Sequence, residues 1–198
     1  MTRLHPSLKV CALVAVGMTF GLALQPRSSD SSTAAAQEKK ATPSAEQRLR
    51  ELKIELPAVS QPTNTLVNAV RVGDMLYVSG TGPGKDESGK LILGRLGKTD
   101  LDVKQGRAAA RQVGLHVLAV VKAELGSLDK VQRLVKTFGM VNAASDFKEH
   151  PQVINGFSDL MVEVFGEENG KGARSAVGMS SLPNGIPVEI EAIFQIRK

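Results

Sequence analysis

The last strand-like stretch of the chain, VEIEAIFQI from Val188 to Ile196, constrains the fold more than any other feature. Ile186, Val188, Ile190, Ala192, Phe194 and Ile196 fall on one side of it, and Pro187, Glu189, Glu191, Ile193 and Gln195 on the other. Successive strand residues point to opposite faces, so one face of this strand belongs against a core and the other does not. A second alternating run, from Gly172, precedes it across a Leu182-Pro183-Asn184-Gly185 turn, and the two read as a closing hairpin. That hairpin carries Arg174 at its mouth and the carboxylates of Glu189 and Glu191 on one face, about 7 Å apart along the strand.

The rest of the pattern supplies the cover for the buried face. Thr65–Val70 and Met75–Ser79 read as strands around the turn residues Gly73-Asp74, and Leu91–Leu93 as a further short one. Thr99 to Leu125 has helical period, with Ala110, Val113, Val117 and Val120/Val121 as its stripe, Thr99 and Asp102 as capping residues, and Gly126 as its stop. Val131–Val141 is a strand. Pro151–Phe165 is a second helix with Ile154, Phe157, Met161 and Val164/Phe165 inward and Gly166 at its end. The order β-β-(β)-α-β-α-β-β predicts an α+β sandwich, a sheet of five to six strands with two helices on one face. A sheet left bare on its other face is commonly completed by self-association, so an oligomer is expected.

The beginning of the chain differs in character. Arg3 and Lys9 precede the apolar run Val10–Leu24, too short for a comfortable membrane span and typical of a secretory signal; Ala34-Ala35-Ala36 offers a small-residue cleavage site. Residues 1–36 are therefore expected to be a signal peptide or an N-terminal anchor, with export to the periplasm and membrane contact only through that segment. Residues 37–53 read as a flexible linker, with a short helix conceivable over Ala45–Leu52, and 54–198 as the folded domain. Cys11 is the one cysteine, so a mature chain would have none for disulfides, thiol chemistry or metal. The net charge of +5 is spread among interleaved acids and bases, and Tyr77 is the one tyrosine; neither suits a nucleic-acid-binding surface.

Arg174 is costly to bury unpaired, since its guanidinium cannot deprotonate. It can clamp a carboxylate with its planar fork, or pair with Glu189 or Glu191 across the hairpin, where a four-residue loop would set it opposite Glu191 and a loop one residue longer would shift the register. Glu189 and Glu191 could serve acid-base chemistry if burial raised one of them, or could be solvated or subunit-pairing groups. Ser79 and Thr81, beside Gly80, offer hydroxyls and backbone N–H groups. His116 and His150 have no partner at metal-ligand spacing, and neither a metal nor a cofactor is expected.

Taken in order, Gly73-Asp74-Met75-Leu76-Tyr77-Val78-Ser79-Gly80, Ala173-Arg174-Ser175, Leu182-Pro183 and Val188-Glu189-Ile190-Glu191-Ala192-Ile193 resemble the signatures of the Rid family, also called YjgF or endoribonuclease L-PSP. The resemblance runs from Ile54 to Lys198. It implies a chorismate-mutase-like fold assembled as a homotrimer, with ligand clefts between subunits. For function it implies a hydrolytic deaminase of 2-imino or enamine acids. Arg174 would hold the substrate carboxylate, Glu189 would orient water or move a proton, and Ser79, Thr81 and Asn155 would line the cleft. No cofactor is implied. Two departures stand out: Leu66 occupies the position of an aromatic hydroxyl, and Ala176 that of a common cysteine. They keep a second reading open, a trimeric binder of small carboxylates without catalysis. The ribonuclease activity behind one family name gains little from this charge and aromatic content.

Overall fold

The computed structural model describes residues 43–62, 65–86 and 88–198. The expected signal segment lies outside the described residues. Among those described, no helix is long and apolar enough to cross a membrane.

The elements are helix α1 (Ala45–Glu51), strands β1 (Ala69–Val72) and β2 (Met75–Thr81), helix α2 (Val103–Leu125), strand β3 (Val131–Asn142), helix α3 (His150–Gly170), and strands β4 (Ala173–Met179) and β5 (Val188–Ile196). They form one five-stranded mixed sheet in the order β1-β2-β5-β3-β4. Its pairs are antiparallel except β3 with β4.

The capping box of α2 is closed by Asp102 and Gln105, each side chain accepting from the other's backbone N–H, rather than by Thr99. Gly126 ends that helix in a left-handed conformation. In α3 the backbone leaves helical geometry at Gly166, and one further turn follows. The apolar stripes of the two helices are buried against Val188, Ile190, Ala192, Phe194 and Ile196 of β5. Each valine, isoleucine or phenylalanine so buried contributes about 1.5–3 kcal/mol. The helices touch closely because Gly156 lies on the Arg107 carbonyl, where a Cβ has no room.

Three expectations are corrected. First, the closing hairpin does not exist. β3 lies between β4 and β5, pairing parallel with one and antiparallel with the other. The segment 180–187, with a 3₁₀ turn at Pro183–Gly185, carries the chain across β3 instead of folding β4 onto β5. Second, the first strand begins at Ala69 rather than Thr65, and Leu91 makes one isolated bridge with Lys85, so the strands number five.

Third, the folded part begins well before Ile54. Within the stretch read as linker, the short helix conceivable over Ala45–Leu52 does form, as α1, and it buries Ala45 and Leu49 in the core. Its Glu46 carboxylate accepts from Lys122 Nζ (2.8 Å) and from the Leu128 N–H (3.0 Å). This short helix is held by tertiary contacts; its length alone would leave it marginal.

Opposite the helices, the sheet presents a bare face. Transverse rows run Val70–Tyr77–Ile193–Lys136, then Glu191–Phe138–Ser175, then Glu189–Met140–Val177. Val70, Val72 and Tyr77 on it are 48%, 61% and 43% exposed.

Candidate functional site

The predicted site residues fall into two groups. Arg174 stands on the edge strand β4, directly beside Thr137 of β3. Thr137 is only 1% exposed and faces the helices, and Arg174 shares that face. Its Nη1 donates to Asn155 Oδ1 (2.8 Å) and to Ser158 Oγ (3.0 Å), both on α3. Asn155 and Ser158 are three residues apart, so one helix face presents both. The structure thus replaces the proposed pairing with Glu191 by two neutral acceptors. Among the described residues, Nε and Nη2 have no hydrogen-bond partner. Those two N–H groups are parallel and form the edge that grips a carboxylate bidentately.

The second group lies on the bare face, around an irregularity in the β2–β5 ladder. Val78 pairs with Ala192 and Thr81 with Ile190, so Ser79 and Gly80 together oppose Glu191. Glu189, beside Met140 in the next row, lays its carboxylate over Gly80, where a Cβ would collide with its Oε1. Burial, and then the nearby Glu191 charge, push the Glu189 carboxyl above the ordinary glutamate range. A carboxyl shifted in that direction is a better proton acceptor than a solvated glutamate.

The hydroxyls here are structural. Ser79 Oγ donates to the Val67 carbonyl (2.6 Å), and Thr81 Oγ1 to the Ser79 carbonyl (2.8 Å). They fasten the bulge and the incoming loop, and both protons are spent on the protein's own backbone. Leu66, 60% exposed, sits one residue before the carbonyl that Ser79 holds.

The two groups do not meet within one chain. Glu189 and Arg174 point to opposite faces, on strands two spacings apart, about 10 Å before any offset along the strands. Ser158 and Thr137 were not singled out by the sequence, and Gly80 stood there only as the neighbour of Ser79 and Thr81. A serine one helical turn after Asn155 was the available signal for the first; nothing local marked Thr137 or the carboxylate above Gly80. His116 also gains a place: half-buried on α2, it lies against Gly84 in the loop leaving Thr81, and burial lowers its pKa. Among the described residues, no group of three or more His, Cys, Asp or Glu side chains is arranged to hold a metal ion.

A one-sided mixed sheet with two long helices over its back is the architecture of the chorismate mutase-like proteins. Residues 46–185 match the family model described as "YjgF/chorismate mutase-like, putative endoribonuclease". Protein TCP17 of Trypanosoma cruzi is 44% identical over 148 residues, covering 75% of this chain and 91% of that protein. A 2-iminobutanoate/2-iminopropanoate deaminase of Dermatophagoides farinae is 30% identical, covering 72% and 94%. The crystal structure of Atu1372 from Agrobacterium tumefaciens, a protein of unknown function, superposes with a TM-score of 0.68 at 42% identity, covering 77% of this chain and 92% of that one. The chain belongs to the YjgF family, the Rid family of the sequence resemblance.

Proposed function

We propose that the protein is a hydrolytic deaminase of reactive 2-imino acids, working in clefts between the subunits of a homotrimer. The observation that carries this reading is the guanidinium of Arg174: Asn155 and Ser158 hold Nη1 and leave the Nε/Nη2 edge to a carboxylate. The family membership and the deaminase relative support the choice of reaction.

Arg174 binds the carboxylate and fixes the imine carbon. Water adds to the carbon of the protonated imine while Glu189 takes one of its protons, giving a carbinolamine. The same carboxyl returns that proton to nitrogen and then takes the hydroxyl proton as the C–N bond breaks, so that ammonia leaves a 2-oxo acid. Positioning and charge stabilisation suffice for so reactive a substrate, and nothing is oxidised or reduced. The raised pKa of Glu189 suits both the taking and the giving.

Because Arg174 and Glu189 lie on opposite faces of one sheet, a shared small substrate needs Arg174 from one subunit and Glu189 from another. The exposed Val70, Val72 and Tyr77 give that association an apolar surface. The test is direct. A 2-imino acid is generated in situ by an amino-acid oxidase, and 2-oxo acid release is followed against a semicarbazide trap. Acceleration that vanishes in Arg174→Ala supports the hydrolase; a folded protein that accelerates nothing refutes it.

A second reading, a small-carboxylate binder without chemistry, draws on two observations: Leu66 brings no hydroxyl, and the protons of Ser79 and Thr81 are already committed. Under that reading Arg174 still binds acids, but nothing turns over. Export to the periplasm, suggested by the run Val10–Leu24, belongs to the same proposal; the mass of the mature chain tests it.

A further inference from the structure

A groove of about 260 Å³ runs from Arg174 between α3 and the start of β4. Leu134 and Val162 supply its aliphatic walls, and Thr137 and Ser158 its hydroxyls. Gly170 and Gly172 line it without side chains. Lys171 also borders it, but its ammonium is paired with Glu167 one helical turn earlier. Beyond Arg174, then, the groove offers no unpaired cation to a second carboxylate, yet it has room and apolar wall well beyond what a methyl group fills.

We infer that this groove receives the substrate's side chain and selects 2-imino acids with a branched aliphatic side chain, such as the one derived from leucine, over the alanine-derived one. The inference rests on Arg174 as the carboxylate clamp. With the carboxylate on the Nε/Nη2 edge, an attached isobutyl group lies against Leu134 and Val162, and water leaves both surfaces. Each added methylene in such a pocket changes discrimination by about tenfold or more. An acidic side chain finds no free partner there and loses its hydration.

The experiment uses the full chain in two measurements. Calorimetry compares 4-methyl-2-oxopentanoate with pyruvate, the stable products of the two imines, and the oxidase-coupled assay compares leucine with alanine as the imine source. Tighter binding of the branched acid by roughly tenfold or more is expected, with the same order in kcat/KM. Val162→Phe, which fills the groove, is expected to collapse the ratio towards one.

Tighter binding of the branched acid without turnover sustains the groove and sinks the hydrolase. Turnover of both imines at equal kcat/KM does the reverse. A preference that persists in a folded Val162→Phe protein, or binding of neither acid, overturns the inference.

Discussion

The Arg174 edge and the Gly80 bulge are built on opposite physical terms. At the edge, a permanent charge stands in partial solvent, steered by two neutral groups on α3 that orient it without neutralising it. At the bulge, an ionisable group is pressed onto a glycine and beside a like charge, so it gives up its proton at higher pH than an ordinary glutamate. In the proposed hydrolysis one group keeps its charge and would supply position, while the other changes its charge and would supply a proton path. Placing them on opposite faces prevents Arg174 and Glu189 of the same chain from neutralising each other.

The comparison breaks first at the arginine. Arg174→Ala is expected to lower kcat/KM for imine hydrolysis by at least about a hundredfold, with the circular dichroism spectrum unchanged. Arg174→Lys restores charge without the fork and should recover little of the loss. If the alanine variant unfolds, the residue is a structural anchor instead.

A mixed assembly tests whether the two halves come from different subunits. Arg174→Ala and Glu189→Gln chains, inactive alone, are refolded together. Random closed assembly leaves about a quarter of the clefts with both native residues, so activity near that fraction should return. No recovery in a proven mixed oligomer would place both groups in one chain's site.

Gly80→Ala is the sharper probe of the bulge. The new methyl displaces the Glu189 carboxylate, and the atom it meets is the end of a flexible side chain. Activity should fall about ten- to a hundredfold, while stability changes by no more than about 1 kcal/mol. A large loss of melting temperature with activity per folded molecule intact would contradict this.

The smallest effect concerns protonation. Because Glu189 titrates above the ordinary range, first through burial and then through Glu191, hydrolysis should rise with pH across that raised value as the base ionises. Glu191→Gln removes the like charge and should move this limb to lower pH. The sign for stability is opposite. A raised native pKa gives a contribution that is present below the unfolded value and lost as pH rises through the folded one. Glu189→Gln, always neutral, should flatten that loss.

Much of this architecture was legible because it is written in local periods. The stripes of α2 and α3 and the alternation in β5 identified the core face, and period two placed Glu189 and Glu191 together on the other. What failed was partnership. Two alternating strands joined by a Pro-Asn-Gly turn look alike whether they pair or straddle a third, and so Arg174 was weighed against Glu191 while its contacts lay on α3. The helix α1 showed only as a conceivable short helix inside a linker because its seven residues gain their stability from Lys122, Leu128 and the core, none of them nearby in sequence. Glu189 over Gly80 depends on a bulge that no dipeptide announces.

The position of β5 has a consequence in time. The last strand made is the one in the middle, between β2 and β3. Without it, β2 and β3 each lack a partner on one edge, and nothing joins the β1-β2 pair to the β3-β4 pair. The sheet therefore closes only when one strand inserts along both edges at once. A chain that stops short of Val188 lacks the joint itself, and what it leaves is two sticky fragments rather than a smaller version of the protein.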